Sequence, residues 1–248
     1  MAEASQVMDR RPEKPKEAAW WIQPAYTATA LGLFGLYSIW EVFTHNSGRF
    51  ENYLSPFFSP DVHSWFHFLP ALYVVWAPLL FRATCYYYRK AYYRSFFFDP
   101  PSCALPEPKG RTHYRGETKL PLILNNLHRF FFYLAVVVLV FLWKDAIDAF
   151  FFKNGFGVGL GSIIMLVNVV FLSIYTFSCH AFRHLIGGNL DCFSCGVNPR
   201  LRYNLWQLIS NWNADHAMWA WISMFTVWGT DLYIRLLIMG VLHPVRFF

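Results

Sequence analysis

Residues 158–184 read VGLGSIIMLVNVVFLSIYTFSCHAFRH, and from Val158 to Phe182 no Asp, Glu, Lys or Arg interrupts the run. Crossing a bilayer takes roughly 20 mostly apolar residues for about 30 Å of hydrocarbon. This stretch is long enough, and it ends in a thiol and two imidazoles, Cys179, His180 and His184. The span therefore delivers metal-ligating groups directly to one membrane face.

Working outward, four more windows have the same character. They cover about 21–43, 66–93, 120–143 and 213–241, and the stretch just quoted extends over 158–185. Trp20, Trp21 and Pro24 open the first in the manner of an interfacial helix start. Pro70 and Pro78 lie inside the second, which membrane helices tolerate when neighbours satisfy the freed carbonyls. The fifth carries Asp231 and Arg235 at i, i+4, a spacing at which the two charges can neutralise each other. The expected fold is an all-α integral membrane protein, five transmembrane helices in a bundle (21–248), preceded by a polar tail (1–20). That tail has no apolar segment with a cleavage site and is not a signal peptide.

Composition agrees. The chain is 56% hydrophobic and 21% aromatic with 15% charged residues, too apolar for a soluble domain of this length. Its net charge of +6 therefore reports orientation and headgroup contact rather than nucleic acid. Arg10, Arg11, Lys14, Lys16, Arg89, Lys90, Arg94, Lys109, Arg111, Arg115, Lys119, Arg200 and Arg202 fall on the N-terminal face, against Arg49, Lys144, Lys153 and Arg246 on the other. Positive residues stay inside, so the expectation is a multi-pass protein of the cell inner (plasma) membrane with a cytoplasmic N-terminus. On the outer side, residues 52–65, NYLSPFFSPDVHSW, read as a stretch lying on the membrane surface. The inner loop 94–119 is the longest soluble segment and a candidate partner-docking surface. No internal repeat stands out.

The five cysteines, Cys85, Cys103, Cys179, Cys192 and Cys195, do not form a secreted disulfide framework. All fall at or near the inner face, where His128, His180, His184 and His216 join them. His180 and His184 project from one helix face and can share a metal. Two thiolates with two imidazoles make either a closed zinc site or a Rieske-type [2Fe-2S] cluster. Haem b between two axial histidines is a further possibility, as is a purely local site of His180, His184, Cys192 and Cys195. Cys179 is offset about 100° from His180 on a helix, which makes it less natural as a co-ligand with that histidine.

Several segments resemble a known family: FRATCYYYRKAYYR (81–94), PPSC (100–103), GETKLPLILNNLH (116–128), CHAFRH with Gly187 and Gly188 (179–188), NADH (213–216) and TDLYI (230–234). The chain is similar to the SdhC-like membrane-anchor subunit of Rieske-type succinate dehydrogenases, the complex II enzymes. The resemblance implies a membrane anchor for a flavoprotein subunit and an iron–sulfur subunit, with succinate oxidised in those partners. It also implies a membrane-embedded Rieske-type [2Fe-2S] cluster that reduces quinone, menaquinone or ubiquinone. By position it points to His180, His184, Cys85, Cys103 and Cys179 as the metal set. Phe182 and the Cys192–Cys195 pair depart from the family pattern. For the quinone site, His128, Arg183, Trp212 and His216 can supply donors and a proton path from the same face. Two readings from other classes are a zinc-stabilised scaffold without redox function and a transporter, the latter disfavoured by the lack of paired repeats.

Overall fold

The computed structural model describes residues 21–43, 48–61, 70–96, 118, 120, 122–187, 192 and 198–247. These residues are mostly helical: α1 Ile22–Phe43, α2 Pro70–Thr84, α3 Tyr86–Phe96, α4 His128–Asp148, α5 Leu160–Phe177, α6 His180–Gly187, α7 Pro199–Ala214 and α8 His216–Ile238. Two short hairpins complete them, β1 Arg49–Phe50 with β2 Tyr53–Leu54, and β3 Phe151–Phe152 with β4 Gly155–Phe156. Among the described residues, Ile123–Asp148 and Leu160–Phe177 are long and apolar enough to cross a bilayer. Residues 1–33 with 90–114 form one contact unit and 34–89 with 115–248 another. Everything that follows lies in the second.

Two long helices expected from hydropathy are broken. Over 66–93 the chain forms α2 and α3 with Cys85 between them; over 158–185 it forms α5 and α6 with Ser178 and Cys179 between them. The window 213–241 is filled by the single helix α8 from His216 onward, and Asp215 separates it from the preceding α7. At both cysteines the break has the same form. The Cys85 N–H bonds to the Arg82 carbonyl three residues back, and its carbonyl accepts from Arg89 N in the next helix (3.1 and 2.8 Å). Cys179 does likewise with Thr176 and Arg183 (3.4 and 3.0 Å). Hydropathy is blind to such a break, because a tightened turn inside an apolar run changes no residue's polarity.

At the far end of these helices, the stretch expected to lie on the membrane folds inward instead. Tyr53, Leu54, Phe57 and Phe58 are buried. Tyr53 packs with Leu139, Met165, Val169, Ile234 and Leu237. The Tyr53 ring reaches α5 because Gly161 has no Cβ; one built there would lie 2.6 Å from the ring. Residues 62–69 lie outside the described set.

The expected Asp231–Arg235 pair gains partners from other elements. Arg235 forms a buried ion pair with Glu41 of α1 and stacks on Trp40, 4.2 Å from the ring centroid. Asp231 accepts hydrogen bonds from the Tyr37 and Ser55 hydroxyls. Both charges are buried, and the partners from other elements tie α1 and the β2 loop to α8.

Candidate functional site

Four helix ends bring two cysteines and two histidines together. Cys85 sits between α2 and α3, Cys179 between α5 and α6, His128 begins α4 and His216 begins α8. Cys85, Cys179 and His216 are buried, and His128 is partly so. All four line one cavity of about 570 Å³, together with Thr84, Tyr87, Asn125, Asn126, His180 and His184.

The two imidazoles are held in matching ways. Thr84 Oγ1 donates to the Leu80 carbonyl at 2.7 Å and meets His128 Nδ1 at 2.9 Å. A hydroxyl has one proton, so Nδ1 carries its own and Thr84 accepts it. This leaves His128 Nε2 as a lone pair, 3.0 Å from Cys179 Sγ. Ser178 Oγ likewise donates to the Tyr175 carbonyl at 3.1 Å and meets His216 Nδ1 at 2.7 Å. His216 Nε2 then faces Cys85 Sγ at 3.5 Å. An aromatic ring covers each imidazole: Phe81 on His128 (4.9 Å, 8°) and Tyr175 on His216 (5.0 Å, 17°).

These contacts expose a repeat that the sequence reading missed. Phe81-Arg-Ala-Thr-Cys85 and Tyr175-Thr-Phe-Ser-Cys179 share the form aromatic, two residues, hydroxyl, cysteine. In each, the aromatic residue stacks on a histidine and the hydroxyl fixes that histidine's tautomer, while the cysteine reaches across to the other histidine. Five residues were too few to register as an internal repeat.

The other sequence-stated groups fall differently. His180 and His184 line the same cavity but are exposed, with ring centroids 5.5 Å apart. Among the described residues, neither is hydrogen-bonded to a thiol. Arg183 turns to α7, with Nε 2.9 Å from Ser210 Oγ and its guanidinium 4.9 Å from the Trp206 ring centroid. Trp212 is 38% exposed. Cys192 is disulfide-bonded, so it offers no thiolate for a local site. Cys103 and Cys195 lie outside the described residues.

Residues 22–240 match the sequence model of the family described as actinobacterial succinate dehydrogenase subunit SdhC. The chain belongs to this family. It is also similar to a chain of the solved Mycobacterium smegmatis Sdh1 complex in the apo form, 38% identical, with a TM-score of 0.84 and 97% of each chain covered. No curated protein matches it. As an SdhC-like membrane anchor it is a subunit of succinate dehydrogenase, with succinate oxidation carried out by other subunits.

Proposed function

We propose that this chain anchors the flavoprotein and iron–sulfur subunits of succinate dehydrogenase to the plasma membrane and relays their electrons to quinone, menaquinone or ubiquinone, through a Rieske-type [2Fe-2S] centre held by Cys85, Cys179, His128 and His216. The observation that carries the reading is the matched pair of hydroxyl-locked imidazoles, each presenting Nε2 to a buried thiol. A second hydrogen bond that fixes tautomer and ring orientation is the usual companion of metal-ligating histidine.

The donor set fits such a centre. Among the described residues no three His, Cys, Asp or Glu side chains are grouped to hold one metal ion. A binuclear cluster has a different requirement, two thiolates on one iron and two imidazoles on the other, and this cavity supplies both pairs. When bound, the cluster provides one-electron transfer at a potential raised by its imidazole ligands. Thr84 and Ser178 keep both Nε2 atoms unprotonated. Phe81 and Tyr175 hold the rings in plane and cover them. His180 and His184, exposed on the same cavity, can hand protons to a quinone carbonyl. Arg183, tied to α7, positions the segment bearing Trp212. The ligand set keeps Cys85 and Cys179 from the sequence reading and takes His128 and His216 in place of His180 and His184.

The membrane domain is read as five spans with the N-terminus and this cavity on the cytoplasmic side, where the lysine and arginine excess lies. Electrons from a docked iron–sulfur subunit then enter on the side where soluble partners can reach.

The test is iron, acid-labile sulfide and haem content of the purified complex, with the EPR spectrum of its reduced form. A low-average-g signal, with iron and sulfide in equal amounts beyond those of the iron–sulfur subunit, lost in Cys85→Ser and His216→Ala but kept in the His180→Ala, His184→Ala double variant, supports the proposal. A Soret band without that low-average-g signal assigns the imidazoles to haem b, and zinc in place of the extra iron makes the site a scaffold; either result overturns it.

A further inference from the structure

The two five-residue motifs differ at their second position, Arg82 in one and Thr176 in the other, so a single cation breaks an otherwise matched pair. The Arg82 guanidinium lies 4.6 Å from the Tyr175 ring centroid. Tyr175 in turn stacks on His216 at 5.0 Å. The charge thus sits one aromatic ring away from a proposed ligand.

Among the described residues, every hydrogen-bond partner of this cation is neutral. Its Nη1 donates to the Tyr88 hydroxyl at 2.6 Å and to the Ala220 carbonyl at 3.1 Å, and its Nη2 to Ser223 Oγ at 3.0 Å. Tyr88 and Ser223 both pass their own protons to the Ala220 carbonyl, at 2.7 and 3.1 Å, so they act toward Arg82 purely as acceptors. Among the described residues no carboxylate pairs with it. On its other side Arg82 lines an apolar cavity of about 90 Å³ with Phe34, Phe57, Pro78, Leu142 and Val227. A guanidinium drawn even partly out of water ordinarily has an anion beside it. Arg82 is half-buried, and neutral dipoles hold its charge in place without cancelling it.

We infer that Arg82 is the built-in counter-charge of the electron that enters this site, a positioning residue that raises the reduction potential of the centre. The inference rests on the redox reading above. One electron arriving from the iron–sulfur subunit adds one negative charge to the centre. A fixed cation within about 10 Å, in surroundings less polarisable than water, stabilises that reduced form and leaves the oxidised form less favoured. Nothing in the step requires Arg82 to gain or lose a proton.

The experiment is a redox titration of the assembled complex by EPR, with iron and sulfide content measured on the same sample. Arg82→Gln should shift the reduction equilibrium about tenfold toward the oxidised form, a 59 mV fall for a one-electron couple. Arg82→Lys keeps the charge and should hold the wild-type midpoint within about threefold. Ser223→Asp leaves Arg82 in place but pairs it, and should lower the midpoint as Arg82→Gln does; it also carries the test if Arg82→Gln fails to assemble. A fully loaded Arg82→Gln or Ser223→Asp complex with the wild-type midpoint overturns the inference and leaves the redox reading standing. A wild-type complex without the low-average-g signal of this centre removes both.

Discussion

Replacing Arg235 with Met tests how the bundle tolerates charge. Arg235 and its partner Glu41 are 8% and 0% exposed at the side chain, and Arg235 also packs over Trp40. Losing the cation strands a buried carboxylate, at a cost of about 3–5 kcal/mol. At about 2–4 °C per kcal/mol for a chain of this size, the unfolding temperature should fall by roughly 6–20 °C. Glu41→Leu strands the guanidinium instead and should cost a comparable amount. The double variant Glu41→Leu, Arg235→Met removes both charges together and should recover most of the loss, since apolar replacement of a whole buried pair is often neutral. The assay is thermal unfolding of the complex in lipid nanodiscs, followed by tryptophan fluorescence, for the wild type, both single variants and the double. The coupling between the two sites is the quantity sought. If the double variant loses the sum of the two single losses, the ion pair is not what the single variants report on, and the reasoning fails.

Thr84→Val keeps the shape at its position but deletes the acceptor that fixes His128 Nδ1; iron content after mild chelation should drop, in line with a 10–100-fold loss of metal affinity on removing such a partner, about what Ser178→Ala should do through His216. Gly187→Ala would place a Cβ 2.2 Å from Trp206 Cδ1 and should cost about 1–3 kcal/mol by forcing α6 and α7 apart, read as a lower unfolding temperature. Gly35→Ala meets no atom within 4 Å and should be neutral or stabilise by up to about 1 kcal/mol, which controls for the glycine substitution itself.

The electrostatic arrangement separates two kinds of buried charge. At one end of α8, Glu41, Asp231 and Arg235 engage one another and the Tyr37 and Ser55 hydroxyls, which holds α1, the β2 loop and α8 together. Toward the other end, the partners that hold Arg82 among the described residues are neutral acceptors. The first is compensated and serves the fold. The second leaves its field available to the site.

The apolar run 158–182 by itself determined that this chain belongs in a membrane, because burying so long a charge-free segment in a small soluble domain has no counterpart energetically. The clustering of cysteine and histidine near span ends likewise followed from linear position, since depth in a bilayer is nearly a function of residue number along a helix. Both Phe81–Cys85 and Tyr175–Cys179 were also there to be read, but as five-residue patterns they had no meaning until the contacts supplied one.

What only the tertiary structure decided is which donors meet. Sequence spacing favoured His180 with His184, because i, i+4 places them on one face. In the fold that pair stays exposed, and the enclosed donors are His128 and His216, 88 residues apart, each paired with a cysteine from a different helix. Helix periodicity reports only which side chains share a face. It is silent on where a buried hydroxyl such as Thr84 or Ser178 breaks the run and turns a cysteine toward a neighbouring helix, and those breaks assemble the cavity.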